Sequence, residues 1–154
     1  MKLGLAVAVL VWLADRFSKL EMIDLLAHHP GGIPITSFFN LVMVWNPGVS
    51  FGLFGSDSAW GRWLLTALTT AIVVGLLVWL YRAKNRWLTV SLGLMIGGAT
   101  GNIVDRVVWG RVADFLDFHA AGYHWPAFNV ADSAVFLGAA ILIGESLWSG
   151  RDKG

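Results

Sequence analysis

The chain has 154 residues, 56% of them hydrophobic and 14% charged, with a mean hydropathy of +0.66 and a formal net charge of +1. That apolar share belongs to a membrane protein folded as one unit, with no separate soluble domain. The near-zero charge offers no basic field for nucleic acid, and the absence of cysteine excludes disulfides, thiolate nucleophiles and Cys-ligated metal centres.

Met1-Lys2 and the uncharged run Leu3–Ala14 could open a secretory signal peptide, but no small-residue cleavage site lies near Asp15-Arg16-Phe17-Ser18-Lys19. An uncleaved first membrane helix is expected over residues 3–27, because 12 uncharged residues fall short of the ~20 that cross a bilayer. Asp15 and Lys19, four apart on one helical face, can pair there. They suit either a structural ion pair at a helix end, with Lys19 reaching for the interface, or part of a site.

His28-His29-Pro30-Gly31-Gly32 ends this helix. Strand formers then fill Ile35–Phe54 around Asn46-Pro47-Gly48, predicting a hairpin or curled sheet outside the bilayer core over residues 33–58, with its break at Asn46–Gly48. The alternative is an amphipathic loop resting on the membrane.

Trp63–Tyr81 is 19 residues without a charge, with Trp60, Trp63, Trp79 and Tyr81 at its ends, and predicts a second span over residues 60–81. Arg82, Lys84 and Arg86 make a short basic connection, and the 18 uncharged residues Trp87–Val104 predict a third span over 87–107. Gly97 and Gly101, four apart, permit close approach of a neighbouring helix. Ser133–Gly144 gives only 12 uncharged residues before Glu145, so a fourth span has to start near Asn129 and cover 129–148.

The expected fold is therefore a membrane all-α bundle of four helices with a small β element. Lys2, Arg82, Lys84, Arg86, Arg151 and Lys153 put both termini in the cytoplasm, with the hairpin and the segment 108–128 outside.

Carboxylates in so apolar a chain need partners or a task. Asn102, Asp105 and Arg106 share one helical face near the outer end of the third span, where Asp105 and Arg106 suit a structural pair and Arg106 could hold a substrate carbonyl. Asp114 lies in an apolar strip, Val112–Phe118, that also carries Asp117. If Asn129 caps the fourth helix, Asp132 at its third position could be the reciprocal partner of a capping box. Two carboxylates meeting in a partly desolvated site tend to share one proton, so that one activates water and the other donates to the carbonyl oxygen or leaving nitrogen, as in aspartic peptide hydrolysis. Spacing favours Asp114 with Asp132, but either Asp105 or Asp117 could replace a member of the pair.

Other chemistries fit less well. The four histidines form no H-E-x-x-H zinc motif, there is no G-x-S-x-G, and no glycine loop leads to Lys-Ser/Thr. A proton-coupled transporter is the rival from another class, but four helices without an internal repeat, with the acids at one end, provide no second gate.

Four segments, DRFSK from Asp15, NPGVSF from Asn46, GNIVDR from Gly101 with GRVADF from Gly110, and FNVADS from Phe128, resemble in order the lipoprotein signal peptidase family, signal peptidase II. The resemblance covers nearly the whole chain. It implies a bacterial inner-membrane aspartic endopeptidase that cuts prolipoprotein signal peptides just before a diacylglyceryl-modified cysteine near the periplasmic face. It further implies inhibition by globomycin. Nothing in the sequence requires a metal or cofactor, and a monomer working in lipid is expected. The family's catalytic pair falls on Asp114 and Asp132. Supporting positions fall on Asp15, Lys19, Asn46, Gly48, Asn102, Arg106 and Asn129, with the hairpin as a cradle and the segment before Asp114 as part of a lid; Asp105, with Arg106, is expected to hold the site's geometry rather than transfer protons. Ser50, where many members carry alanine, is expected to touch packing rather than chemistry.

Overall fold

The computed structural model describes residues 1–48 and 59–151, with the backbone alone for Ala59 and residues 148–151. The chain order is α1 (Lys2–Ala27), β1 (Ile33–Thr36), β2 (Phe39–Asn46), α2 (Ala59–Arg82), α3 (Arg86–Val108), β3 (Val112–Ala120), β4 (Tyr123–His124) and α4 (Val130–Arg151). The protein is mostly helical, with a small antiparallel sheet capping one end of the bundle.

Among the described residues, three helices are long and apolar enough to cross a membrane: Trp60–Arg82, Arg86–Val108 and Val130–Leu147. Their outward faces carry large apolar side chains such as Leu64, Leu68, Phe136 and Leu147, which suit a lipid solvent. Threonines within α2 are satisfied locally, Thr66, Thr69 and Thr70 each donating to the carbonyl four residues back. The 26-residue α1 is also long enough, about 39 Å at 1.5 Å per residue, but Asp15, Arg16 and Lys19 interrupt its apolar run.

α3 is the hub, packing against α1, α2 and α4. Its missing side chains make that possible. A Cβ at Gly97 would come within 2.5 Å of the Ala8 carbonyl of α1, and one at Gly101 would collide with the Asp15 carboxylate. The two glycines thus face α1, as their four-residue spacing suggests. Leu80, Leu92, Ile96 and Ala8 form the buried apolar cluster below.

The sheet order is β1-β2-β3-β4, with α2 and α3 inserted between its two central strands. The hairpin turn differs from the sequence expectation. It lies between Thr36 and Phe39, and β2 runs to Asn46 before Pro47, which has no N–H to donate, and Gly48 (φ +80°) end it. The second stretch of strand formers, Val49–Phe54, and Ser50 within it, lie outside the described residues. The partner that β2 finds on its other side is β3, so the apolar strip around Asp114 is a sheet strand. A register shift between Leu41 and Val44 divides the pairing: Asn40 stands opposite Asp117, and Asn46 opposite Val112.

Candidate active site

The side chains singled out from the sequence gather where α1, the C-terminal end of α3, the start of α4 and the sheet meet. Asn129 precedes α4 and caps it: its Oδ1 accepts from the Asp132 N–H at 2.9 Å, and its own N–H donates to Asp132 Oδ2 at 3.3 Å. That is the reciprocal capping box the spacing allowed. It uses only part of each side chain. Asn129 Nδ2 reaches out of the helix to Asp114 Oδ1 at 2.7 Å, with Asn102 Oδ1 and the Ala113 carbonyl at 3.3 Å. Asp132 Oδ1 in turn accepts from Asn102 Nδ2 at 2.7 Å.

Asn129 therefore touches both carboxylates. Asp114 receives a second amide from Asn46 Nδ2 at 2.9 Å, and the Gly48 N–H fixes that amide's orientation by donating to Asn46 Oδ1 at 2.8 Å. Because a carboxylate can only accept, the orientation is the one that serves Asp114. Gly48 lets the chain lie close to α2 and α3: a Cβ there would stand 2.8 Å from Leu65 and 3.4 Å from an Arg106 guanidinium nitrogen. Arg106 donates to the Asn102 carbonyl at 3.3 Å, and its Nε has no hydrogen-bond partner among the described residues.

Burial pushes the Asp114 carboxyl up, the nearby Asp132 carboxylate adds to this, and the Asn46 and Asn129 hydrogen bonds and the Lys19 charge only partly offset it, leaving Asp114 at about 6.

Behind this pair lies a cluster of opposite character. Lys19 is fully buried and spends its donors on Asp15 (2.8 Å), Asp105 (2.6 Å) and Asn102 Oδ1 (3.0 Å). It does not reach for the interface, because Asp105 from α3 supplies a second counter-charge inside the bundle. Asp15 also accepts from the Ala131 N–H at 2.9 Å, tying the first helix to the last. Asp105 pairs across to α1 and accepts from the Ala113 N–H at 3.4 Å, so the adjacent Asp105 and Arg106 are not partners of one another.

Asp117 is not brought to Asp114. It faces the other side of β3, where His124 Nδ1 lies 2.9 Å from both its oxygens and Asn40 Nδ2 donates at 2.9 Å. Burial raises its carboxyl, but the hydrogen bonds from His124 and Asn40 outweigh that and hold it below the ordinary carboxylate range. Of the four acids that spacing left open, Asp114 and Asp132 alone are neighbours with amide donors on both.

Sequence reasoning missed Arg16. Its guanidinium sits 4.3 Å over the Trp109 ring and 3.7 Å from Asp105, and no periodicity distinguishes it from a surface arginine. Among the described residues no three or more His, Asp or Glu side chains are placed to hold a metal; His119 and His124 stack on each other. A cavity of about 470 Å³ lined by Trp125, Phe128, Asp132, Ser133 and Phe136 gives Asp132 an apolar neighbour on the bundle surface.

The family model described as signal peptidase (SPase) II matches residues 7–148. A lipoprotein signal peptidase of Methylobacterium sp. (strain 4-46) is 46% identical over 96% of this chain and 90% of its own. That of Aeromonas hydrophila subsp. hydrophila is 43% identical over 95% and 89%. A solved structure described as a bacterial membrane enzyme, obtained by the in meso method at 2.3 Å resolution, superposes with a TM-score of 0.81 at 26% identity, covering 100% of this chain and 93% of that one.

Proposed function

This chain belongs to the signal peptidase II family, a family of membrane peptidases, and from that premise we propose that it cleaves prolipoprotein signal peptides by aspartic chemistry at Asp114 and Asp132. The cut falls immediately before the diacylglyceryl-modified cysteine. The observation that carries the reading is the pair itself: two adjacent carboxylates, both bonded to Asn129, with amide donors where the other acids have charged or imidazole partners.

Amide donors hold a carboxylate in place without fixing its charge. With Asp114 raised to about 6, the pair can hold one proton between its members near neutral pH. The ionised member takes a proton from a water, whose oxygen attacks the scissile carbonyl carbon. The protonated member hydrogen-bonds the carbonyl oxygen as charge develops there. Collapse of the tetrahedral intermediate breaks the C–N bond as a proton passes to the cysteine nitrogen. The products are a signal peptide with a new carboxylate and a protein with a free, lipid-modified N-terminal cysteine. Arg106 and Asn102 border this space, and the Lys19 cluster holds α1, α3 and Asn102 still behind it.

The membrane arrangement follows the same reading. α1 is a fourth span, both termini are cytoplasmic, and the pair sits near the outer face of the inner membrane; the basic residues Lys2, Arg82, Lys84 and Arg86 at the opposite end of the bundle support this. Diacylglyceryl chains stay in lipid while the peptide bond is presented at that depth, each buried CH₂ contributing roughly 0.8 kcal/mol. The segment 108–128 closes over the substrate, and a globomycin-type peptide competes for the same space.

The test is cleavage of a diacylglyceryl-modified prolipoprotein by the purified, detergent-solubilised monomer. Cleavage before the modified cysteine, with folded Asp114→Asn and Asp132→Asn variants inactive, is the expected result. Variants as active as wild type would overturn the aspartic mechanism, and comparable turnover of the same peptide without the lipid would overturn the substrate.

A further inference from the structure

The end of β2 is held from both sides. Successive side chains of a strand point to opposite faces, so Asn46 points to Asp114 while Trp45 points the other way. On that second face the Trp45 ring meets the Trp109 ring edge-on, with centroids 5.6 Å apart and planes at 78°. Trp109 closes α3, its N–H donating to the Asp105 carbonyl at 2.7 Å, and the Arg16 Cζ of α1 lies over its ring, 4.3 Å from the centroid. Arg16 also stands 3.7 Å from Asp105 Oδ1, while Lys19 holds the other oxygen of that carboxylate at 2.6 Å.

We propose that Arg16, Trp109 and Trp45 form a brace that positions Asn46 against Asp114, making all three positioning residues for the reaction. The inference rests on the reading of Asp114 and Asp132 as the reacting pair. Trp45 and Asn46 are adjacent on one stiff strand, so a shift of a few tenths of an ångström at the Trp109 ring moves the Asn46 amide by a similar amount. The hydrogen bond from Asn46 favours the ionised form of Asp114. Weakening it lets Asp114 keep its proton to higher pH. The other groups facing Asp114 are Asp132 and the Asn129 amide beside α4, Lys19, which shares α1 with Arg16, and Arg106, which shares α3 with the Trp109 cap; Lys19 and Arg106 have bonds of their own to Asp15, Asp105 and the Asn102 carbonyl.

The pH dependence of kcat/KM on a diacylglyceryl-modified peptide reads this directly. Asn46→Ala sets the scale, its alkaline limb moving to higher pH. Trp109→Ala is expected to move the limb the same way by about 0.5 to 1 pH unit, with kcat down roughly 3- to 10-fold and KM changed less than about twofold. Trp109→Phe, which keeps an aromatic edge, should restore the wild-type limb, and Arg16→Gln should give a smaller shift of the same sign. If Trp109→Ala does not fold, Trp45→Leu and Arg16→Gln report the same quantity. A lowered rate with an unmoved limb in these variants would overturn the brace and leave the aspartic reading intact. Active Asp114→Asn, or inert wild type, would overturn both.

Discussion

Asp114 and Asp117 stand three residues apart on one strand and lead opposite lives. Both are almost completely buried, yet the first is pushed up to about 6 and the second is held below the ordinary carboxylate range. Burial acts on both in the same direction. The partners differ: Asp114 has two neutral amides and a neighbouring carboxylate, whereas Asp117 has an imidazole donor and an amide. The register shift in β2 creates the division, because slipping the pairing by one residue sends Asn40 and Asn46 to opposite faces of the sheet, one to each acid. A single irregularity in the strand thus separates an acid that can exchange a proton from one that serves as a latch.

The sharpest way to break the comparison is to neutralise each acid in turn. Asp114→Asn or Asp132→Asn should lower kcat/KM by on the order of 10⁴-fold or more, while folded Asp117→Asn retains activity; equal losses at all three would erase the distinction. Next in size is Lys19→Met, which leaves Asp15 buried without its cation and Asp105 with the more distant Arg16, at 3.7 Å. It should cost about 3–5 kcal/mol, read as a large drop in melting temperature or failure to accumulate in membranes. Asp105→Asn keeps a hydrogen-bonding partner for Lys19 and should leave measurable hydrolysis, unlike the two pair variants.

The pH dependence of stability sharpens the comparison, since the signs are opposite. Asp114 titrates higher in the folded chain than unfolded, so its contribution is fully present below the ordinary carboxylate value and is lost as pH rises through about 6. Asp117 titrates lower when folded, so its contribution is present above the ordinary value and is lost as pH falls. The stability of Asp114→Asn relative to wild type, followed by thermal melting, should therefore climb between pH 4 and 7, by at most a few kcal/mol at roughly 1.4 kcal/mol per pH unit, and that of Asp117→Asn should fall as pH rises from the acid side. The smallest effect is expected from His124→Gln: loss of about 1 kcal/mol by thermal melting, with kcat unchanged.

The helices were legible because apolar length is a local property, and the start of α4 was legible because Asn129 and Asp132 carry a capping pattern three residues long. The sheet was only half legible. Asn46-Pro47-Gly48 has turn chemistry, but the partner of β2 lies more than sixty residues further along the chain, and no local pattern announces that Val112–Ala120 will pair with it. For the same reason spacing could not choose between Asp114 and Asp117, since opposite faces have meaning only once the segment is known to be a strand. Lys19 misled for a different reason: a lysine after an apolar run ordinarily reaches for water, and its burial depends on Asp105, a residue from another helix. The family resemblance singled out the same two acids, Asp114 and Asp132, without this geometry.

The hydrogen bond from the Ala131 N–H to Asp15 joins α1 to α4. A ribosome delivers α1 long before α4, so Asp15 waits for its donor, and Asp114 for Asn129, until the start of α4 has been made. On the proposed reading a chain without α4 has no working pair of acids. On that reading, proteolytic competence arrives only once α4 is in place.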